Sequence, residues 1–247
     1  MEPQQIWTDR YRINWYETDA NNCASLVTIC NDLQVTAFRH AHNLGFDFTK
    51  KSGFDYLWVL VRMLIKMDHY PGWNDEIEVK TWHRGADGLF AMRDYEISDL
   101  QGKRLGAVSS HGFLLDPEIR KPVIPDINDK AKTMVTPVSV MQDQPDRILI
   151  PRDLPFIRTV TAGYTDLDMY LHVNNARYID WILNLFPEEI HRKYIISKFL
   201  IEFLSEVRYS ENINLFASVN SDESLVKGVR EGDEKTIFKA KITWKPR

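Results

Sequence analysis

The chain has 247 residues, 44% of them hydrophobic and 27% charged, with a net charge of −4. That length is enough for one large domain or two smaller ones, each with its own core, and the composition is that of an ordinary globular protein. No Lys/Arg-rich run is present, which argues against a nucleic-acid binder. The longest apolar run, residues 57–67, contains Arg62 and Lys66 and is too short to span a bilayer.

The first residues lack the basic-then-apolar pattern of a signal peptide. Cys23 and Cys30 lie seven positions apart and read as free, reduced thiols. A soluble cytoplasmic protein is expected. Residues 11–16 alternate polar and apolar and predict a first strand, followed by a polar loop over 17–25. Leu26, Ile29, Cys30, Leu33, Ala37, Phe38 and Ala41 mark one face of a long helix, with Gly45 placed to end it. Residues 57–68 read as a buried strand, and 76–82 alternate with period two. Residues 90–98 and 104–115 complete an antiparallel run around a turn at 99–102. Seven prolines then fall within residues 116–155, predicting a connector that wraps the surface.

After this the pattern restarts. A strand is expected at 157–164, a helix at 173–185, and strands at 197–209, 212–220, 225–230 and 236–244. Setting Asp19 against Asp168 brings Cys23 against His172, and residues 57–70 against 196–209. Each half is a β-α-β-β-β-β unit, giving an expected division into 1–125, a connector 126–155, and 156–247.

Two stretches carry chemistry. The first is Asp166-Leu167-Asp168-Met169-Tyr170-Leu171-His172-Val173-Asn174-Asn175, on a loop that feeds a helix. One reading is a helix cap, in which Asn174 or Asn175 accepts backbone N–H groups. The other pairs His172 with a carboxylate for acid/base work near a helix N-terminus able to hold an oxyanion. The second stretch is Ile201 to Tyr209. Alternation counted from Phe199 puts Glu206 on one face of a strand with Leu200 and Leu204, a desolvating setting for a proton-transfer carboxylate. The competing reading is an exposed Glu206–Arg208 pair.

The order of elements resembles the hotdog fold, a curved sheet around a central helix, here duplicated in one α+β chain. By that resemblance the working site lies between two such units. The motif around His172 resembles the helix-entry motif of the acyl-acyl carrier protein thioesterases of plants and bacteria. Tyr16-Glu17, Ala24-Ser25-Leu26, Leu57-Trp58-Val59, Arg62-Met63 and Tyr70-Pro71-Gly72-Trp73-Asn74-Asp75 are similar in the same order.

The resemblance implies hydrolysis of fatty acyl groups from acyl carrier protein, which presents them on a phosphopantetheine arm. Asp168, His172 and Glu206 would be catalytic, with Asn174, Asn175 and Tyr170 supporting them. It also implies an acyl slot in the first half, among Trp58, Leu60, Met63, Leu26 and Cys30. No cofactor and no metal are expected, since no ligand spacing is present. The oligomeric state is left open. Tyr170 replaces the family's asparagine, and Val207 the cysteine that often follows the glutamate, so carboxylate chemistry is favoured. Rival readings are a hotdog thioesterase acting on coenzyme A esters, a hydratase or dehydratase of acyl thioesters, and an acyl-binding module.

Overall fold

Two units divide the chain, Met1–Pro145 and Asp146–Arg247. The computed structural model describes residues 2–46, 57–116, 118–119, 121–123, 134–220 and 222–247.

In the first unit β1 (Ile6–Arg12) is followed by a 3₁₀ turn (Trp15–Glu17) and helix α1 (Leu26–Asn43). Strands β2 (Leu57–Met67), β3 (Glu76–Asp87), β4 (Phe90–Asp99), β5 (Arg104–Asp116) and the short β6 (Lys121–Val123) complete it. They pair antiparallel in the order β1-β3-β4-β5-β2, with β6 on β5. Ser25 caps α1, its hydroxyl accepting the Thr28 N–H at 3.1 Å. Gly45, at φ 89°, follows the C-cap in the left-handed region that a glycine adopts without steric cost. At the β4–β5 turn, Asp99 Oδ1 accepts the N–H groups of Gln101 and Lys103 at 3.0 and 2.8 Å.

The second unit repeats the plan. It contains β7 (Phe156–Thr161), a 3₁₀ turn (Tyr164–Asp166), α2 (Asn175–Leu183) and a short α3 (Glu188–Lys193). Strands β8 (Tyr194–Phe203), β9 (Asn212–Ser218), β10 (Glu223–Arg230) and β11 (Thr236–Pro246) follow. The order β7-β9-β10-β11-β8 is the first unit's order again. Each unit is thus a hotdog: a curved antiparallel sheet needs its apolar face covered, and the helix supplies the cover. In the second unit Tyr178 of α2 meets Phe203 and Phe238 edge to face, with ring centroids 5.6 and 5.5 Å away.

Several elements differ from the sequence-based expectation. The first strand lies at Ile6–Arg12, because residues 13–17 leave the sheet for the 3₁₀ turn. Helix α3 is an addition to the expected elements: Pro187, which cannot continue a helix, stands as its N-cap. Residues 126–133 of the expected connector lie outside the described residues. Its remaining part is shared between the units. Val138 C=O accepts the Trp82 Nε1–H at 2.9 Å and the Val140 N–H meets Asp94 at 2.8 Å in the first unit. In the second unit the Ile148 N–H donates to buried Glu202 at 3.3 Å and Pro155 C=O accepts the Ala217 N–H at 3.0 Å.

Candidate active site

The polar loop before α2 is built by its own backbone. Asp168 N–H donates to His172 C=O at 2.8 Å and Leu171 N–H to Asp168 C=O at 3.0 Å. Asp168 Oδ1 accepts the N–H groups of Tyr170 and His172 at 2.8 and 3.3 Å. Asn174 is the N-cap of α2 and accepts the Ala176 N–H at 2.9 Å, while Asn175 is the first helical residue. The helix-cap reading therefore holds for Asn174.

On the other side, β8 ends at Phe203. Glu206 is thus not on a central strand, a correction to the alternation argument. The N–H groups of Leu204 and Ser205 both donate to Ile237 C=O, at 2.8 and 3.1 Å. That bulge breaks the pleat, so alternation counted through it no longer predicts a face. Beyond it, Val207 C=O accepts the Val173 N–H at 2.8 Å, and Arg208 bridges His172.

The bend thereby delivers Glu206 to the loop. His172 Nε2 lies 3.1 Å from Glu206 Oε2, with the two side chains 25% and 34% exposed. Arg208 Nη2 lies 3.3 Å from the other oxygen, Oε1. Glu206 pairs with Arg208, as one sequence reading had it, and also meets the imidazole, though from a bend and not from the strand that both readings assumed. Its partial exposure differs from the fully desolvated setting expected beside Leu200 and Leu204.

The first unit repeats this scaffold without the chemistry. Asp19 N–H donates to Cys23 C=O at 2.7 Å, and Asp19 Oδ1 accepts the N–H groups of Asn21 and Cys23 at 2.8 and 3.1 Å. The N–H groups of Asp68 and His69 share Leu105 C=O at 2.8 and 3.1 Å, and Pro71 C=O accepts the Ala24 N–H at 2.8 Å. Asp19 therefore matches Asp168, Cys23 matches His172, and Tyr70 matches Glu206. The strands correspond three residues away from the register read from sequence, which set Tyr70 against Tyr209. The bond that Asp168 Oδ1 makes is common to both units and builds the loop. At the matched positions of the described residues, Cys23 and Tyr70 stand where the second unit has the imidazole–carboxylate contact.

One backbone position differs in residue type between the loops. Asn22 and Leu171 both have positive φ, 60° and 63°. Asparagine tolerates that region; leucine pays roughly 1 kcal/mol or more in steric strain. Leu171 is 68% exposed, so little packing is lost on replacing it. Leu171→Asn is expected to raise stability by about 0.5–1 kcal/mol in urea unfolding; an unchanged or lowered midpoint would contradict this.

Tyr178 is a further residue of the site that received no role from the sequence. Its hydroxyl accepts from the Val207 backbone, and burial raises its pKa well above 10, keeping it neutral. In the first unit Pro71 stands where Val207 does, and Ile29 where Tyr178 does. A proline has no N–H to satisfy, so no phenol is needed there. That swap was the available signal.

For the expected acyl slot, Leu26, Cys30 and Met63 are buried, while Trp58 is 38% exposed. Simple alternation would part Trp58 and Leu60 from Met63. A bulge between Leu60 and Arg62 brings them to one face, opposite Leu114, Gly112 and Ser110 respectively. Gly112 is required there, since a Cβ would fall 2.8 Å from the Trp58 ring. The same face carries Arg93, opposite Ser110. Arg93 Nη1 donates to His40 Nδ1 at 2.8 Å and to Thr81 Oγ1 at 3.2 Å, and His40 Nε2 reaches Gln4 C=O at 2.8 Å. This buried polar group was not read from the sequence. Among the described residues no cluster of His, Cys, Asp and Glu has the arrangement of a metal site.

Fold and site together define a tandem hotdog protein with an imidazole–carboxylate pair in its second unit. Residues 4–130 match the acyl-ACP thioesterase N-terminal domain and residues 153–246 the acyl-ACP thioesterase C-terminal domain. The chain belongs to the acyl-ACP thioesterase family. A chloroplastic acyl-[acyl-carrier-protein] hydrolase of Cuphea viscosissima is 28% identical over 270 residues, covering 98% of this chain. The chain spans 63% of that relative's length. An acyl-ACP thioesterase from Bacteroides thetaiotaomicron superposes with a TM-score of 0.89 at 26% identity, covering 98% of both chains. The 12:0-ACP thioesterase from Umbellularia californica, 22% identical, gives 0.87 with 98% of each chain covered, and shows the shared fold.

Proposed function

We propose that this protein hydrolyses fatty acyl thioesters of acyl carrier protein, releasing a free fatty acid and the carrier's phosphopantetheine thiol. The observation that carries the reading is the 3.1 Å contact between His172 Nε2 and Glu206 Oε2, in a chain of this family. Glu206 accepts a proton from water as the oxygen attacks the thioester carbonyl. The N-terminus of α2, the positive end of its dipole, favours the negative charge that develops on the carbonyl oxygen. Collapse breaks the C–S bond, and the proton held by the Glu206–His172 pair goes to the departing thiolate. Asp168 completes the set, holding the His172 backbone through Oδ1 and contributing its negative charge beside the reaction. Asn174 and Asn175 set the start of α2, and Tyr170 lies between Asp168 and His172 in the loop. A cytoplasmic location is part of the proposal.

The test is thiol release, followed with a disulfide reagent, from acyl carrier protein and coenzyme A esters of one chain length at equal concentration. Faster release from the carrier protein, falling as salt screens the docking charges, is expected. Preference for coenzyme A would replace the substrate class. Water addition to an unsaturated acyl group without thiol release would replace the reaction.

A further inference from the structure

We propose that Arg230 is a positioning residue for this reaction, holding the backbone of Glu206 so that its carboxylate stays on His172. The inference rests on the functional reading above and concerns a residue 24 positions from Glu206 in the chain. Arg230 ends β10, and its Nη2 donates to Glu206 C=O. Its Nε lies 3.2 Å from Glu211 Oε2 and its Nη1 3.2 Å from Asp233 Oδ2, with the side chain 19% exposed. Glu211 Oε2 also accepts the Arg208 N–H at 2.9 Å.

One guanidinium thus ties together both ends of the bend that carries Glu206. The segment needs this because β8 has ended: beyond Phe203 no strand ladder holds the chain, and each polar group must find its own partner. Glu206 C=O finds Arg230, Val207 N–H finds Tyr178, Val207 C=O finds Val173, and Arg208 N–H finds Glu211.

The first unit is an internal comparison. Arg230 is the cross-strand partner of Ile213 in β9, as Asp99 is of Ile77 in β3, and those isoleucines match in the duplication. Asp99 turns to its own hairpin. The arginine is therefore present in the unit that holds the imidazole–carboxylate pair, and an aspartate stands at its place in the unit that lacks the pair. A lysine presents one point of charge, whereas the planar fork of Arg230 hydrogen-bonds Glu206 C=O and Asp233 Oδ2 at once while its charge faces Glu211.

The experiment compares Arg230→Gln and Arg230→Lys with the wild-type full chain, by initial rates on a fatty acyl carrier protein and by thermal melting. Small displacements of a reacting group cost orders of magnitude in rate. Arg230→Gln is expected to lower kcat about 10- to 50-fold with KM within threefold, and Arg230→Lys to stay within about fivefold of wild type. Set into Glu206→Gln, where the carboxylate is already gone, Arg230→Gln is expected to change the residual rate less than about twofold. A kcat near wild type in Arg230→Gln would overturn the proposal, as would an equal fold-loss in both backgrounds. Should Arg230→Gln fail to fold, Arg230→Lys carries the same comparison: its loss must vanish in the Glu206→Gln background. No thiol release by the wild-type protein would overturn the functional reading and this proposal with it, whereas wild-type turnover with additive losses overturns the proposal alone.

Discussion

Glu206→Gln is expected to lower kcat on acyl carrier protein esters by about 10³-fold, within the range that a positioned general base contributes. The amide keeps the volume and a hydrogen-bonding oxygen but cannot accept a proton from water. His172→Ala is expected to fall by a similar factor, and the double variant to fall little further, because two groups that act as one unit do not add. Asp168→Asn sharpens the assignment. Its amide oxygen still accepts the Tyr170 and His172 N–H groups that Oδ1 holds, so only the charge is removed. A loss of about 10² is expected there, and none for Asp19→Asn, which makes the same bonds in the first unit. If Asp168→Asn stays within threefold of wild type, Asp168 is a loop former like Asp19 and leaves the catalytic set. Should Glu206→Gln and His172→Ala both turn over normally, the site lies elsewhere.

The second large effect is expected on stability, in the first unit. Burial and the neighbouring Arg93 charge push the pKa of His40 and of His83 down to about 4. The folded chain therefore holds both neutral, while the unfolded chain binds a proton at each below about pH 6.5. Their contribution is fully present above pH 6.5 and is lost as pH falls from there to about 4, by up to about 3 kcal/mol for each histidine. Asp32 works in the opposite sense over the same window. Burial, with the Glu17 charge adding to it, raises its pKa to about 7, so its folded state binds the proton more readily and loses stability as pH rises. The raw slope mixes these effects, and the useful quantity is a difference. In His40→Gln the amide donates to Gln4 C=O and accepts from Arg93, as the imidazole does, without titrating. Urea unfolding at pH 7.5 and 4.5 should show wild type losing about 2.5 kcal/mol more than His40→Gln. Equal losses in the two proteins would remove His40 from the account.

How much of this was legible beforehand depends on the range of the interaction. The apolar face of α1, the cap at Asn174, the period-two strands and the turn at Asp99 follow from residues a few positions apart, and local sterics and hydrogen bonding fix them. The duplication could be read as well, because Asp19 and Asp168 head matching loops. What failed was counting through irregularities. The bulges at 60–62 and at 204–205 each shift the side-chain alternation by one, and neither is marked by a glycine or proline.

By itself, then, the sequence determined the two-fold repeat and the loop-to-helix motif, and it offered His172 and Glu206 as candidates. It did so because those features are written in neighbouring residues. Only the tertiary structure decided that the two groups meet, that Asp168 Oδ1 is engaged with the loop, and that Arg230 and Tyr178 hold the bend. Those contacts join residues distant in the chain through a segment with no regular hydrogen-bond ladder, where a one-residue bulge sets which way each side chain points.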